Sequence, residues 1–297
     1  MILLVRHIQA IRKLNIDHIA GKHDTHNIFI DYDGNLVLLT SVKKRDIHHH
    51  SIFHVTEWAV QKIIIPPSQE PLHYAQPLGD NWLLVNARAK NDTTHNAFVY
   101  DDTQNLMSSF HMGDGIEDVQ TTKNGDIWTS YFDEGVFGDS IGASGLLCFD
   151  KKGVKIFDFV KFVQTPSNNE IPFIDDCYAL NVSSNQTVYL YYYSDFPLVV
   201  LHNKTEYELF NHEQFQESPI VGSKAFSIWK DYILFGHGYD DKGKIHLYSL
   251  QNKKIQSYLP VTEENDIINY DYAVGRKHKL FLVCKDDVYH VDIRDVI

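Results

Sequence analysis

The amino-acid sequence predicts an all-β fold, a six-bladed β-propeller of four-stranded antiparallel blades that forms a single domain over residues 1–297. Segments with alternating apolar and polar residues follow one another, and Gly, Asn, Asp or Lys turns separate them, which is typical of strands and hairpins. Helical periodicity is nearly absent, and aromatic residues make up 13% of the chain, which favours β-strands. Four such segments recur about every 45 residues, the length of one propeller blade.

The stretch from Asp114 to Phe159 is the clearest blade. Tight turns KNGD and KKG join the first strand to the second and the third to the fourth, and a long polar loop separates the two hairpins. Trp128 follows the first turn, where a large aromatic side chain is expected to pack between neighbouring blades. The four predicted strands are IEDVQTT, DIWTSYF, GLLCFD and VKIFDF.

This blade resembles the repeats of two-component-regulator propellers and of the streptogramin lyase propeller family. The residues that carry the resemblance are Gly115, Val119, Gly125, Asp126, Ile127, Trp128, Gly145, Phe149, Asp150 and Gly153. The resemblance implies the blade fold and little about function, because the same scaffold hosts binding domains and enzymes. The catalytic residues of the lyase family cannot be placed on this sequence, so no lyase activity is inferred.

The rest of the chain divides into variants of this unit in chain order. Blade one is predicted over 26–67, with Asp33–Asn35 as its first turn; blade two over 72–112; blade four over 175–211; blade five over 224–260; and blade six over 267–293. Blade six lacks a fourth strand, whereas the N-terminus has one strand more than blade one needs. Because an open sheet edge leaves backbone groups unpaired, we expect Ile2–Gln9 to supply that outer strand and so to close the ring.

Composition limits the partners and the location. The net charge is 27 − 39 = −12 and Lys and Arg are not clustered, which argues against nucleic acid and against anionic membranes as partners. Three cysteines without CxxC spacing make a disulfide framework improbable, so we interpret them as small buried side chains. The apolar run before Arg6 is too short for a signal peptide, and we therefore expect a cytoplasmic monomer.

Loop lengths indicate where a ligand would bind. With the strands of a blade labelled A to D, the A–B and C–D turns are short, whereas the B–C loops and the D–A crossovers are longer and richer in reactive side chains. Antiparallel pairing places the longer connections at one end of the blades. Loops held by a rigid scaffold often carry binding residues, so this end is the predicted functional face.

Acidic residues cluster on this predicted face. Asp114, Glu117 and Asp118 begin blade three, and Asp175 and Asp176 begin blade four. Carboxylates from adjacent inner strands could converge on a divalent cation such as Ca²⁺ or Mg²⁺, so Glu117, Asp118, Asp175 and Asp176 form a candidate metal site. The alternative is that these side chains cap strand ends and face water.

The blade-three B–C loop carries a second group, with Tyr131, Asp133, Glu134, Phe137 and Asp139 among glycines. Aromatic and acidic residues on such a loop suit a polar or sugar-like ligand, although the glycines could serve only to fold the loop over the blade. The predicted ligand-binding residues are Asp114, Glu117, Asp118, Tyr131, Asp133, Glu134, Asp175 and Asp176.

Histidines form a third group. His48, His49 and His50 are assigned to the blade-one B–C loop, and His95 and His237 to those of blades two and five. Imidazole is a metal ligand and a general acid or base near neutral pH, but no HExxH or comparable spacing is present, and a solvated run is the simpler interpretation.

Two functions fit these patterns. The first is a non-catalytic recognition propeller that binds a protein or carbohydrate on the face of the long B–C and D–A loops. The second is a metal-assisted propeller enzyme, a hydrolase, lactonase or lyase, with carboxylates at the channel mouth. The absence of a G-x-S-x-G elbow, a P-loop or a nucleotide fingerprint favours the first.

Overall fold

Nearly every regular element in the computed structural model, which describes residues 6–210, 215 and 219–297, is a β-strand. The strands form six sheets, and each sheet is built from consecutive antiparallel hairpins. These sheets are the six blades of a β-propeller, as predicted. The chain divides into two compact units, Lys22–Leu209 and Met1–Gly21 with Phe210–Ile297.

The unit Lys22–Leu209 contains the first four blades. In chain order their strands are β3 (Thr25–Ile30), β4 (Leu36–Lys44), β5 (Ile47–Val55) and β6 (Val60–Ile64); β7 (Tyr74–Leu78), β8 (Asn81–Val85), β9 (Ala97–Tyr100) and β10 (Leu106–Phe110); β11 (Ile116–Thr121), β12 (Ile127–Tyr131), β13 (Leu146–Phe149) and β14 (Lys155–Asp158); and β15 (Asp176–Val182), β16 (Thr187–Tyr193), β17 (Leu198–His202) and β18 (Glu206–Phe210).

The other unit contains blades five and six together with two N-terminal strands. Their strands are β1 (Arg6–Gln9) and β2 (Ile11–Asn15); β19 (Phe226–Trp229), β20 (Tyr232–Phe235), β21 (Ile245–Ser249) and β22 (Lys254–Val261); and β23 (Tyr272–Arg276), β24 (Lys279–Cys284) and β25 (Asp287–Asp292). Blade six is thus completed by an N-terminal strand, which confirms the predicted source of its fourth strand.

The strand that completes blade six lies further along the chain than predicted. It is β2, which pairs antiparallel with β25, and not Ile2–Gln9. Residues 2–5 lie outside the described residues, and β1 instead pairs in parallel with β22 as a fifth strand of blade five. Each of these strands buries one apolar side chain, Ile8 in β1 and Leu14 in β2.

Blade one differs from the prediction at its centre. The second and third strands, β4 and β5, are joined by only Arg45 and Asp46, which have φ angles of 49° and 65°. Two consecutive left-handed residues form the tight hairpin turn that matches strand twist. His48, His49 and His50 therefore lie in strand β5, and their assignment to a long B–C loop is wrong.

Within residues 6–210 and 219–297 the helices are short. They are α1 (Ile16–Ala20), α2 (Asp133–Val136) and α3 (Phe159–Val163), with 3-10 helices at Ile141–Ser144 and Ile293–Asp295. Among the described residues, no helix has the length and apolar character needed to cross a membrane. The helix α2 folds the blade-three B–C loop, and α3 directly follows strand β14.

The core lies between the sheets of adjacent blades. One cluster joins blades three and four and contains Trp128, Phe157 and Tyr192. Trp128 is only 2% exposed, which confirms its predicted packing between neighbouring blades. Cys148 and Cys177 are buried free thiols and Cys284 is partly buried, in agreement with the absence of a disulfide framework.

Candidate functional site

A cavity of about 280 Å³ opens between the B–C loops of blades two and three. Both loops belong to the unit Lys22–Leu209. Their residue ranges are 86–96 and 132–145, and the crossover 111–115 between the two blades forms the third side. The lining residues are Ala89, Lys90, Asn91, Asp92, His111, Asp114, Glu134, Gly138, Asp139 and Ser140.

Side-chain amides fold the blade-two loop. The Nδ2 group of the buried Asn96 donates to Asn86 O (2.9 Å) and to Gly113 O (2.8 Å), and its Oδ1 accepts from Met112 N–H (2.8 Å). Asn91 Oδ1 accepts from Thr93 N–H at 3.0 Å and so forms a turn at the tip. The backbone that lines one wall of the cavity is therefore fixed by the protein itself.

Two glycines let the blade-three loop approach the crossover. Gly115 has φ +70°, and a Cβ built on it would lie 2.4 Å from Gly135 N. A Cβ on Gly135 would lie 2.6 Å from Asp114 O. Because no side chain fits at either position, the start of α2 packs directly on the backbone of the crossover and brings Glu134 beside Asp114.

Arg88 joins the two carboxylates at the cavity wall. Its Nε and Nη2 donate to Asp114 at 2.9 and 3.0 Å, and its Nη1 donates to Glu134 at 2.5 Å. The Asp114 carboxylate also accepts from Ala89 N–H at 2.7 Å. The hydrogen bond to Glu134, followed by that to Asp114, raises the pKa of Arg88. This fork fixes both carboxylates, and sequence reasoning missed it because Arg88 is 26 and 46 residues away from them.

His111 lines the cavity from the crossover. Its Nδ1 donates to Thr94 O at 2.8 Å, which fixes the ring against the blade-two loop. Its Nε2 is buried without a hydrogen-bond partner among the described residues and lies 3.8 Å from Asp92 Oδ1. Lys90, which also lines the cavity, binds Glu70 at 2.7 Å.

The acids of the inner strands have a different environment. Asp118 accepts from Val119 N–H at 2.7 Å and from Gln120 Nε2 at 2.9 Å. Gln120 also donates to Leu180 O and so ties β11 to β15. Through Gln120, Asp118 therefore helps to hold blades three and four together. The sequence had suggested that this residue binds a ligand.

Three of the four predicted metal ligands, Glu117, Asp118 and Asp176, lie close enough to Cys177 to affect the pKa of its thiol. Burial raises the pKa of Cys177, and the carboxylates of Glu117, Asp118 and Asp176 raise it further. Asp175 precedes β15 and pairs through its backbone N–H with Tyr193 O at 3.0 Å. Across the described part of the chain, however, no group of three or more His, Cys, Asp or Glu side chains is placed to hold a metal ion. The structure thus does not gather Glu117, Asp118, Asp175 and Asp176 into a metal-ligand group.

Of the remaining predicted residues, Tyr131 does not lie in the B–C loop to which the sequence assigned it. It is the last residue of β12 and is fully buried, and its hydroxyl donates to Met112 O. Its interpretation as an exposed loop residue is wrong, because the loop begins one residue later. Asp133 is exposed at the start of α2, where its Oδ1 accepts from Glu134 N–H at 2.7 Å.

Comparisons with known proteins place the fold among β-propellers. The YxzG family matches residues 146–291 of this chain. No curated protein sequence matches it. An inactive variant of virginiamycin B lyase from Staphylococcus aureus, solved with quinupristin, is 9% identical, with 94% of this chain and 97% of that chain covered and a TM-score of 0.52.

Two further solved structures are similar. A luciferin-regenerating enzyme is 11% identical over 95% of both chains, with a TM-score of 0.52. The extracellular domain of a one-component system from B. thetaiotaomicron is 9% identical over 97% of this chain and 43% of that chain, with a TM-score of 0.48. Identities this low establish the fold alone, and at that level they confirm the resemblance of blade three to streptogramin-lyase-type propellers.

Proposed function

We propose that this protein is a non-catalytic recognition propeller, and that it binds a polyhydroxylated ligand of the carbohydrate class in the cavity between the B–C loops of blades two and three. The observation that carries the proposal is the polarity of the lining, in which only Ala89 and Gly138 lack a polar side chain. An apolar ligand would exclude water from the exposed carboxylates of Asp92 and Asp139 without replacing its hydrogen bonds, at a cost of about 1–3 kcal/mol for each group.

The size of the cavity limits the ligand. Pockets for drug-sized molecules have volumes of roughly 300–1,000 Å³. At about 280 Å³ the cavity lies just below that range and suits a single sugar ring, either alone or as one residue of a longer chain. The exposed carboxylates of Asp92 and Asp139 can accept hydrogen bonds from sugar hydroxyls.

Pre-arrangement of the walls favours binding. The Arg88 fork, the Asn96 hydrogen bonds and the close approach of Gly115 and Gly135 are contacts within the protein and do not involve ligand atoms. A site held in its binding conformation loses little conformational entropy on association. The alternative of a metal-assisted enzyme lacks this support, because among the described residues the acids do not assemble into a metal-ligand group.

A glycan array probed with the labelled full-length protein tests the proposal, with a peptide array as the second arm. We expect binding to a subset of glycans and its loss in Asp139→Ala, because Asp139 lines the cavity. Asp102→Ala is the matched control, since Asp102 is exposed in the C–D turn of blade two and lies outside the cavity lining. Binding only to peptides, or equal glycan binding by both variants, would reject the carbohydrate site.

A further inference from the structure

Imidazole side chains meet beside the blade-two loop. His48 and His50 lie on one face of β5, with ring centroids 5.9 Å apart and ring planes within 10°. His50 is 1% exposed, and neither of its ring nitrogens has a hydrogen-bond partner among the described residues. His73 lies in the crossover that leads from blade one to blade two. We refer to His48, His50 and His73 as the histidine cluster.

His73 contacts the loop that lines the cavity. Its Nδ1 accepts a hydrogen bond from Ala87 N–H at 3.0 Å. Ala87 directly precedes Arg88, whose guanidinium holds Asp114 and Glu134. The bond requires a lone pair on Nδ1. A protonated ring would place its own N–H against the N–H of Ala87, and the loop would lose this attachment.

The charged groups around the cluster offer little compensation for a positive charge. His49 and His73 are the other imidazoles that act on His50. Glu70 is the carboxylate that interacts with His48, and it is already paired with Lys90 at 2.7 Å. Lys90 itself lines the cavity. A proton taken up by the cluster therefore adds positive charge where burial disfavours it.

The direction of the pKa shifts agrees with this geometry. Burial, and then the charges of His48, His73 and His49, lower the pKa of His50 to about 4. Burial is also the main cause that lowers the pKa of His73. Both rings are thus stabilised in the neutral form. This stabilisation is complete above the ordinary histidine pKa of about 6.5 and is lost progressively as the pH falls below it.

We propose that the histidine cluster is an acid-sensitive switch on the cavity: protonation of the cluster releases the Ala87 N–H from His73 and loosens the start of the blade-two loop, which carries Arg88 and Lys90. Ligand affinity then falls at acid pH. The consequence for affinity rests on the proposed function of the cavity. The release of the loop does not, because it depends only on contacts within the protein.

Hydrogen exchange of the full-length protein, measured by mass spectrometry without ligand at pH 7.5 and pH 4.0, tests the switch, because burial and the neighbouring imidazoles lower the pKa of His50 to about 4. We expect the protection factors of residues 86–96, corrected for the intrinsic effect of pH, to fall at least tenfold. Residues 187–202, in strands β16 and β17 of blade four, serve as the internal reference and should keep their protection. A fall in 86–96 without a fall in the reference supports the proposal, whereas unchanged protection in 86–96, or an equal loss throughout the chain, overturns it.

Variants assign the response to the cluster. In His73→Asn the side-chain oxygen can accept from Ala87 N–H and cannot titrate, so we expect protection of 86–96 to be the same at both pH values. His95→Asn is the control, since His95 is exposed in the same loop and binds only Ser109 at 2.8 Å. A response that persists in His73→Asn, or that disappears in His95→Asn, overturns the assignment.

Imidazole titration of the unmodified protein by NMR provides a measurement that does not depend on any variant. We expect His50 and His73 to titrate below the ordinary histidine range, and the loss of loop protection to share the midpoint of one of them. Separate midpoints would overturn the proposal. Because neither measurement uses a ligand, failure of the glycan array leaves the switch intact, and failure of the switch leaves the cavity proposal intact.

Discussion

At the scale of single residues, Trp128 is among the largest fully buried side chains, and it packs between blades three and four. Its ring lies 5.3 Å from that of Phe157, and Lys204 Nζ lies 5.5 Å from its centroid. Lys204 also binds Asp126 at 2.6 Å, so a residue of blade four covers a residue of blade three. The indole thus fills the space between two blades and carries a cation on its face.

Trp128→Ala should lower the free energy of unfolding by about 3–5 kcal/mol, because it removes a large buried aromatic side chain and leaves a cavity. The denaturant midpoint checks this. Trp58→Ala is the control: Trp58 is 87% exposed, and its removal should change stability by less than about 0.5 kcal/mol. Equal midpoints for the two variants would show that the packing around Trp128 is misassigned.

Arg88→Gln should have a small effect on global stability and a large one on the cavity wall. The Arg88 side chain is 53% exposed, and solvent screening limits such ion pairs to about 0–1 kcal/mol. Asp114 and Glu134 would then repel each other, so Glu-C should cut after Glu134 faster while the melting temperature hardly changes. A loss above about 2 kcal/mol in urea unfolding would contradict this assignment.

Residue types in the sequence located the cavity only in part. Asp114 and Glu134 could be predicted, because Asp114 lies just before an inner strand and Glu134 lies in a long polar loop. Tyr131 could not be placed correctly, since one residue decides whether a side chain at a strand end faces the core or the loop. Arg88 could not be paired from sequence, because its partners come from another blade and only the three-dimensional register brings them together.

At the scale of elements, turns decide the geometry of the cavity. Gly115→Ala should destabilise the protein by roughly 2–3 kcal/mol, since it combines a left-handed residue with overlap against Gly135. Gly79→Ala is a matched control: Gly79 has φ +64° with nothing within 4 Å of an added Cβ, so only the backbone cost of about 1–2 kcal/mol applies. Chemical denaturation of both variants measures the difference, and equal losses would show that the loop can move away.

The N-terminal strands provide a second test at this scale. Deletion of residues 1–15 should lower the melting temperature sharply, because β25 loses one of its two antiparallel partners and the buried side chains of Ile8 and Leu14 are both removed. Deletion of residues 1–9 removes only β1, whose side chains are mostly exposed, and should have a smaller effect. If the shorter deletion were as damaging as the longer one, β1 and not β2 would be the stabilising strand.

The strand pattern was predictable because alternation and turn residues repeat along the chain, as in KNGD and KKG. The hairpin at Arg45 and Asp46 was not, since Arg is not a preferred residue for such turns and the pair lacks the Gly or Asn that usually marks two consecutive positive φ angles. Because of this turn, His48, His49 and His50 lie in a strand and not in the predicted loop. The histidine cluster could therefore not be located from the sequence.

At the scale of the molecule, buried histidines set the response of stability to pH. Burial lowers the pKa of His246 and of His290 to about 4, and both lie in the unit that contains blades five and six. Their folded pKa values lie below that of the unfolded chain, so their contribution is present above about pH 6.5 and declines as the pH falls towards 4.

As the pH falls from 8 to 5, each of these two histidines binds a proton more readily in the unfolded chain than in the folded protein. This difference should lower the free energy of unfolding by about 2 kcal/mol for each histidine. Melting temperatures across this range measure the total effect. His290→Gln should flatten the curve, since it removes one titrating ring, whereas His18→Gln should not, because His18 lies on α1 outside the buried core. A flat profile for the parent protein would contradict the burial of these rings.

The pairing of Ile11 with His290 joins positions 279 residues apart. During synthesis, which proceeds at about 5–20 residues per second, the first four blades can emerge and fold before blade six exists. Strand β2 must wait until β25 has left the ribosome, and contacts of such long sequence separation form slowly. Strand β2 is thus synthesised early and paired late. Until β2 pairs with β25, its backbone groups stay unpaired and chaperones can bind them.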